Sequence, residues 1–184
     1  LSATPTGAGS STITVTIPAG SGGALYYAQA LNSTGTVTHT LAASGMSTTT
    51  VTNTEAPSAI IIAGPSGNFG PFNNFFSATV AGGPVNLMLE AAVLDSTNHY
   101  DSSVGVGLAL RGGFNASVTL TSSTPGVGTV ASPVTFSGGN AVAFAAFTPV
   151  AAGSVTVTLT EPSGFVTPVS FPANVYVNLQ GTVN

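Results

Sequence analysis

The densest cluster of side chains able to do chemistry lies at residues 95–101, which read Asp-Ser-Thr-Asn-His-Tyr-Asp. Two carboxylates and an amide in one loop offer oxygen ligands of the kind that Ca²⁺ binds, and Ca²⁺ takes about six to eight such ligands. The spacing does not match an EF-hand loop, and no Glu stands where a bidentate ligand would be needed. His99 beside Asp101 suggests acid–base chemistry, but no nucleophile with a fixed third partner accompanies it. We expect a solvated loop, with calcium binding as the alternative, and we predict no enzyme and no cofactor.

The charge balance excludes several classes of partner. Arg111 is the single Lys or Arg among 184 residues, and the formal net charge is -4. One cation cannot neutralise a run of phosphates or meet an anionic lipid surface, so we expect neither nucleic acid nor membrane partners. The chain has no Cys, which excludes disulfides, zinc ribbons and iron–sulfur clusters. Arg111 could pair with Glu90 or Asp101 within the fold, or with an acid on a neighbouring copy.

The elements that must position these side chains are strands. Helix-favouring residues are scarce, and short apolar pulses recur between Gly, Pro and Asn, as in an antiparallel β-sandwich. The apolar run 59–63 is far shorter than the ~20 residues of a spanning helix, and the N-terminus does not resemble a signal peptide. Strands are predicted at 11–17, 24–31, 36–42, 48–54, 59–63, 75–80, 85–94, 104–110, 115–121, 134–136, 141–147, 154–160 and 175–179.

Two further segments carry distinct expectations. His39 alternates with Val37 and Leu41, so we expect it to be a half-buried side chain of a sheet face. The Gly-rich segment 64–70 lacks the Lys of a phosphate loop and is interpreted as a turn or connector. The aromatic residues around it are expected to cap the core or to pack on the preceding part of the chain: Phe69, Phe72, Phe75 and Phe76.

An internal repeat divides the chain. Residues 35–41 (GTVTHTL) match 153–159 (GSVTVTL), and 11–54 match the back half of 60–183. We therefore predict a half-sandwich at 1–56 and a complete sandwich at 57–184. A half-sandwich exposes apolar side chains and strand edges, so either more chain precedes Leu1 or another copy supplies the missing strands. The predicted subunit-contact residues are Ile13, Val15, Ile17, Val37, Leu41 and Arg111.

The chain resembles a known kind of repeat. Residues 117–123 (SVTLTSS), 127–130, 132–139 (SPVTFSGG) and 147–165 are similar to bacterial Ig-like (Big-type) tandem repeats of large secreted or cell-surface proteins. Residues 1–54 resemble the second half of another such repeat. The resemblance implies an extracellular Ig-like β-sandwich used as a spacer, stalk or fibre element, and it implies no shared catalytic residues.

Two kinds of function follow. The first is a structural repeat or subunit of an extracellular, pilus-like filament or surface fibre, assembled head-to-tail because strands of one copy complete the next; a viral coat or head fibre is a related structural option. The alternative is an adhesin or carbohydrate-binding module whose sugar platforms would be Tyr26, Tyr27 and Tyr100. The alignment of Tyr26 with Phe144, read as a core position, argues against this. Asn32 and Asn115 lie in N-glycosylation sequons and would mark surface turns.

Overall fold

The computed structural model of the protein describes residues 1–67, 74–104, 106, 108–170 and 174–184. The regular structure in these ranges is β, apart from one 3₁₀ turn at Val80–Gly82. The strands are β1 (Gly35–Leu41), β2 (Thr49–Glu55), β3 (Ser58–Ala63), β4 (Phe75–Ala78), β5 (Val85–Val93), β6 (Asn115–Ser122), β7 (Gly128–Val130), β8 (Val134–Ser137), β9 (Val142–Pro149), β10 (Gly153–Thr160) and β11 (Asn178–Val183).

Strands β3 to β11 form a two-layer sandwich. One sheet has the order β4-β11-β10-β6-β8 and the other has the order β3-β5-β9-β7. All pairs are antiparallel except β4 with β11, which run parallel. Without β4 and β8, the sheets have the A-B-E-D and C-F-G order of a constant-type immunoglobulin domain. The predicted all-β sandwich is therefore confirmed.

The core lies between the two sheets and follows the alternation of the strands. In β6, for example, Ala116, Val118 and Leu120 are buried while the residues between them face outwards. Phe76 and Phe147 pack edge to face in the core, with ring centroids 4.9 Å apart. Alternation of this kind places one apolar face of each strand inside, and burial of that face is the main favourable term in folding.

Strand β3 is buried on both faces. Ile60 and Ile62 point into the main core, whereas Ile61 belongs to a second cluster with Ala92 and Leu94 on the outer face of that sheet. The outer edge of β3 is also covered, because the N–H of Ile62 bonds to the Tyr176 carbonyl at 2.9 Å. Protection on both faces and at the edge explains why this strand reads as a continuous apolar run.

The chain crosses the sandwich from one end to the other. Strand β3 begins at Ser58, opposite Val93 at the end of β5, and we call this end the proximal pole. Strand β11 finishes at Val183, opposite Gly153 at the start of β10, which follows the short turn after β9 at the distal pole. Residues before Ser58 and residues at the C-terminus therefore lie at opposite poles.

The first 34 residues differ from expectation. The strands predicted at 11–17 and 24–31 are not formed, and the described pairing in this segment is a single antiparallel bridge between Ser2 and Tyr27. Alternating apolar residues define a face, but a strand also needs a neighbouring edge to bond. Of the strand predicted at 104–110, residues 105 and 107 lie outside the described residues, and Val106 forms an isolated antiparallel bridge with Ala92. The last strand begins three residues later than predicted.

Candidate functional site

The carboxylates of the polar loop are used to fold the loop itself. Asp95 Oδ1 accepts hydrogen bonds from the Thr97 N–H at 2.8 Å, the Thr97 hydroxyl at 2.7 Å and the His99 N–H at 3.0 Å. The Thr97 hydroxyl is the main reason that the pKa of Asp95 is lowered. In the same way the Ser103 hydroxyl, at 2.6 Å, lowers the pKa of Asp101. Within the described ranges, no group of three or more His, Cys, Asp or Glu side chains could hold a metal ion.

His99 contacts the N-terminal end of this loop. Its Nδ1 lies 2.8 Å from the Thr97 hydroxyl and 3.9 Å from Asp95 Oδ1, and more than half of its side chain is exposed. The sequence paired His99 with Asp101, whereas the structure places it against Asp95. The imidazole therefore helps to order the loop. A parallel bridge between His99 and Val169 also ties the loop to a later part of the chain.

Arg111 does not form either of the intrachain ion pairs that the sequence offered. Its guanidinium lies over the ring of Phe114, 4.6 Å from the centroid, and among the described residues it pairs with neither Glu90 nor Asp101. A planar guanidinium three residues from an aromatic ring gains a cation–π contact there. Glu90 is instead buried on the outer face of β5, and this burial raises its pKa. Arg111 remains exposed at the proximal pole.

The N-terminal segment is seated on glycines beside Arg111. A Cβ on Gly112 would lie 2.7 Å from the Thr6 carbonyl oxygen, and one on Gly113 would lie 3.0 Å from the Ala8 Cβ. On the far side of the segment, Gln29 Nε2 donates to the Gly7 carbonyl at 2.9 Å. The close approach needs residues without side chains in this turn. It fixes the N-terminal part of the chain against the proximal pole.

The β1–β2 hairpin reproduces the β10–β11 hairpin. Gly35 opposes Glu55, just as its repeat counterpart Gly153 opposes Val183. Likewise His39 opposes Val51, and Val157 opposes Leu179. The sequence repeat therefore coincides with two strands, β1 and β10, each of which pairs antiparallel with the strand that follows it.

The two hairpins differ in their surroundings. Val37 is 46% exposed and its counterpart Val155 is 4% exposed. Leu41 is 36% exposed and its counterpart Leu159 is 2% exposed. In the described chain β1 and β2 form a sheet of their own, whereas β10 also bonds β6, and β11 also bonds β4. The β1–β2 hairpin thus has an open apolar face and two open edges.

One aromatic residue covers part of that face. The Tyr26 hydroxyl lies 2.7 Å from His39 Nε2, and the two rings meet edge to face at 5.4 Å. His39 is half-buried, as the sequence predicts, and its Nδ1 is buried without a hydrogen-bond partner in the part of the chain described. The alignment of Tyr26 with Phe144 does not mark a core position, because Phe144 is 54% exposed.

The other predicted contact residues lie in the N-terminal segment. Ile13 and Val15 are half-buried, and Ile17 is 58% exposed. The assignment of these residues, with Val37, Leu41 and Arg111, to a subunit contact remains a prediction, as does the division of the chain after residue 56. The contact of residues 6–8 with Gly112 and Gly113, which we call the glycine seat, has no signal in the sequence, because it joins residues far apart in the chain.

The candidate glycan-related residues are dispersed. Tyr100 packs on Tyr176 with centroids 5.7 Å apart, and burial raises the pKa of both phenols. Tyr27 forms the bridge to Ser2, and Tyr26 contacts His39. The two sequon asparagines are both exposed, with Asn32 ahead of β1 and Asn115 at the start of β6. The three tyrosines are thus held in separate environments.

The aromatic residues near the Gly-rich connector have separate outcomes. Phe76 is buried in the core, and Phe75 is 64% exposed on β4. Phe69 and Phe72 lie outside the described residues.

Comparisons with known proteins give likeness at the level of structure. No family profile matches the chain, and no curated protein matches it. Domains 4 and 5 of the S-layer protein SbsC align with a TM-score of 0.38 and 16% identity, covering 73% of this chain and 58% of that one. Domains 1–6 of the same protein align with a TM-score of 0.38 and 18% identity, covering 82% and 16%. The chain therefore spans less than two thirds of these proteins. Among the described residues, no helix has the length and apolar content needed to cross a lipid bilayer.

Proposed function

We propose that this chain is a non-enzymatic structural repeat or subunit of an extracellular filament or cell-surface fibre, related to the bacterial Ig-like tandem repeats. Its copies join head-to-tail by β-strand complementation. The observation that carries the proposal is the uncovered β1–β2 hairpin, whose exposed Val37 and Leu41 correspond to buried residues of the sandwich. An isolated two-stranded hairpin is marginally stable in water, so a partner that covers it contributes directly to its order.

The path of the chain supports an end-to-end arrangement. The hairpin precedes the proximal pole in the chain, and the N-terminal segment contacts Gly112 and Gly113 at that pole. The C-terminus lies at the distal pole. A contact between the N-terminal part of one copy and another part of the next is heterologous. Such a contact produces a linear array when the rotation between copies does not close.

The surface composition agrees with burial in an assembly. Charged residues make up 3% of the chain, far below the usual share of about a quarter. An exposed surface with so little charge is poorly protected against association. A contact between copies would bury few unpaired charges, so it would lose little free energy to the desolvation of ions.

The first test is electron microscopy of the native material together with its intact mass. We expect filaments or fibres. A constituent chain of 17.9 kDa would indicate non-covalent strand donation, and a much larger chain would indicate covalent repeats. Isolated monodisperse particles at all concentrations would overturn the proposal.

A pair of variants makes the test specific to the hairpin. Val37→Asp introduces a charge on the open face of β1, and Phe144→Asp introduces the same charge at a residue that is 54% exposed in the middle of β9, away from both poles. Light scattering should show that V37D blocks association while F144D assembles like the unmodified chain. Equal behaviour of the two variants would remove the hairpin from the contact.

A further inference from the structure

We infer that the β1–β2 hairpin is completed by the front half of a second repeat of this chain's own type, which places a β6-like strand antiparallel along β1 and a β4-like strand parallel along β2. Because β6 and β4 of a folded sandwich already pair with β10 and β11, that front half must be one that is not paired with a back half of its own. The inference rests on the proposed function and specifies its contact. It names the strands, their directions and their register.

The two hairpins occupy equivalent positions. Strand β1 matches β10 in sequence, and the pairing of each with the strand that follows makes Glu55 the positional counterpart of Val183, and Val51 that of Leu179. In the sandwich, β10–β11 lies in the middle of a five-stranded sheet, between β6 and β4. The alternation shared by β1 and β10 therefore assigns the apolar face of the hairpin to the inner face of such a sheet, and its two edges to neighbours like β6 and β4.

The neighbours of β10 and β11 in the sandwich define the direction and register of the missing strands. Leu159 opposes Leu120 in β6, so Leu41 should oppose the counterpart of Leu120 in the partner. On the other edge, Gln180 opposes Phe75 in the parallel β4, and its hairpin counterpart is Thr52. A slip of one residue would turn every apolar side chain to the solvent face, so this register is strongly specified.

The near absence of charge on these strands favours an uncharged partner strand. Strand β1 carries no charged residue, β2 carries only Glu55 at its end, and neither β4 nor β6 carries any charge. The inferred Leu41–Leu120 neighbours form an apolar cross-strand pair of the kind that stabilises sheets. A charged peptide or a nucleic acid would find no complementary group on these edges, whereas another repeat supplies matching backbone and apolar residues.

The imidazole of His39 offers a buried polar atom to the missing strand. His39 Nδ1 is buried without a hydrogen-bond partner among the described residues. In the inferred register the residue opposite His39 is the counterpart of Ser122, because Val157 opposes Ser122 in the sandwich. Directly opposed residues share a face, so a serine hydroxyl would stand beside the imidazole.

The experiment supplies the missing strands to the full chain. A copy of residues 57–124 is joined to Leu1 through a Gly/Ser linker, and amide hydrogen exchange is measured in β1 and β2. We expect the amides on the open edge of each strand, which point away from the other strand of the hairpin, to exchange at least about tenfold more slowly than in the unextended chain. The matched control carries Leu120→Asp in the added copy alone and should give no such protection. Unchanged exchange, or equal protection by the control, would overturn the inference.

A second measurement covers the case in which the extended chain does not fold. A synthetic peptide of residues 113–124 is added to the unmodified chain, and amide chemical shifts are followed. Shifts should concentrate in β1 and not in β2, with the L120D peptide inactive. Shifts confined to the sandwich would overturn the inference. Fibres that form without the inferred pairing would leave the proposed function standing, so the two failures are distinguishable.

Discussion

The carboxyl group of Glu161 accepts the backbone N–H of Ile60 through both oxygens, at 3.1 and 3.0 Å, from 101 residues away in the chain. The bond covers the open edge of β3, where a bare N–H would otherwise invite another strand. Burial raises the pKa of Glu161 from 4.5 to about 8, against the opposing effect of the Ile60 hydrogen bond. Near neutral pH the edge is therefore closed by a protonated carboxyl group.

The stability of the sandwich should fall as the pH rises from about 4.5 to about 8. In this window the folded chain holds a proton on Glu161 that the unfolded chain has released, so raising the pH favours unfolding. Glu161 alone contributes at most about 1.4 kcal/mol per pH unit to this slope. Chemical denaturation at several pH values measures it.

The variant Glu161→Gln should flatten this slope, since the amide retains a carbonyl acceptor and does not titrate. Glu90, whose pKa is also raised by burial, leaves a residual slope of the same sign. Glu55→Gln removes one carboxylate from the hairpin and is the control. A slope unchanged by E161Q would contradict the assignment.

Gly181→Ala should destabilise the sandwich. A Cβ there would lie 2.5 Å from Cε1 of the Phe76 ring and 3.0 Å from the Val155 Cγ1, so these buried side chains would have to shift. Overpacking of this kind costs about 1–3 kcal/mol. The matched control is Gly126→Ala, because a Cβ at Gly126 meets nothing within 4 Å. Equal free energies of unfolding for the two variants would contradict the prediction.

Gly112→Ala should release the N-terminal segment without unfolding the sandwich. The added methyl group would lie 2.6 Å from the Thr6 carbonyl carbon, so residues 6–8 must move away. The amides of Ser2 and Ser10, which bond to Tyr27 and Leu1, should then exchange faster. The free energy of unfolding should fall by less than about 1 kcal/mol, since the displaced residues lie outside the core. Global loss of structure would show that the seat is part of the folding unit.

Asp95→Ala should disorder the polar loop alone. It removes the acceptor of the Thr97 and His99 amides, so those two amides should lose protection from exchange. Because the pKa of Asp95 is lowered, the same bonds are present above its ordinary value of 3.8 and are lost as the pH falls through the lowered value. A rise in Tm on adding Ca²⁺ to the unmodified chain would instead favour the calcium alternative.

The sequence predicted what depends on local pattern. The alternation of Ala116, Val118 and Leu120 gives the strand and its inward face, and the run 59–63 gives a strand buried on both faces. The repeat at 35–41 and 153–159 predicts paired strands that the structure contains.

Partner choice was harder to predict, because periodicity defines a face without saying what meets it. Residues 11–17 alternate as clearly as β6, yet they find no neighbouring edge within the described chain. The closure of β3 by Glu161 joins residues far apart in sequence. Arg111 lies on Phe114 rather than beside a carboxylate, because the ring is three residues away and the acids are not.

The parallel pairing of β4 with β11 has a consequence for how tension would act on the protein. The chain arrives at the proximal pole and leaves at the distal pole, so a pull on its two ends acts along the strands. The hydrogen bonds between β4 and β11 lie across that direction and are strained together, in shear, rather than opened one at a time. A sandwich threaded in this way resists extension as a unit, whichever neighbours transmit the force.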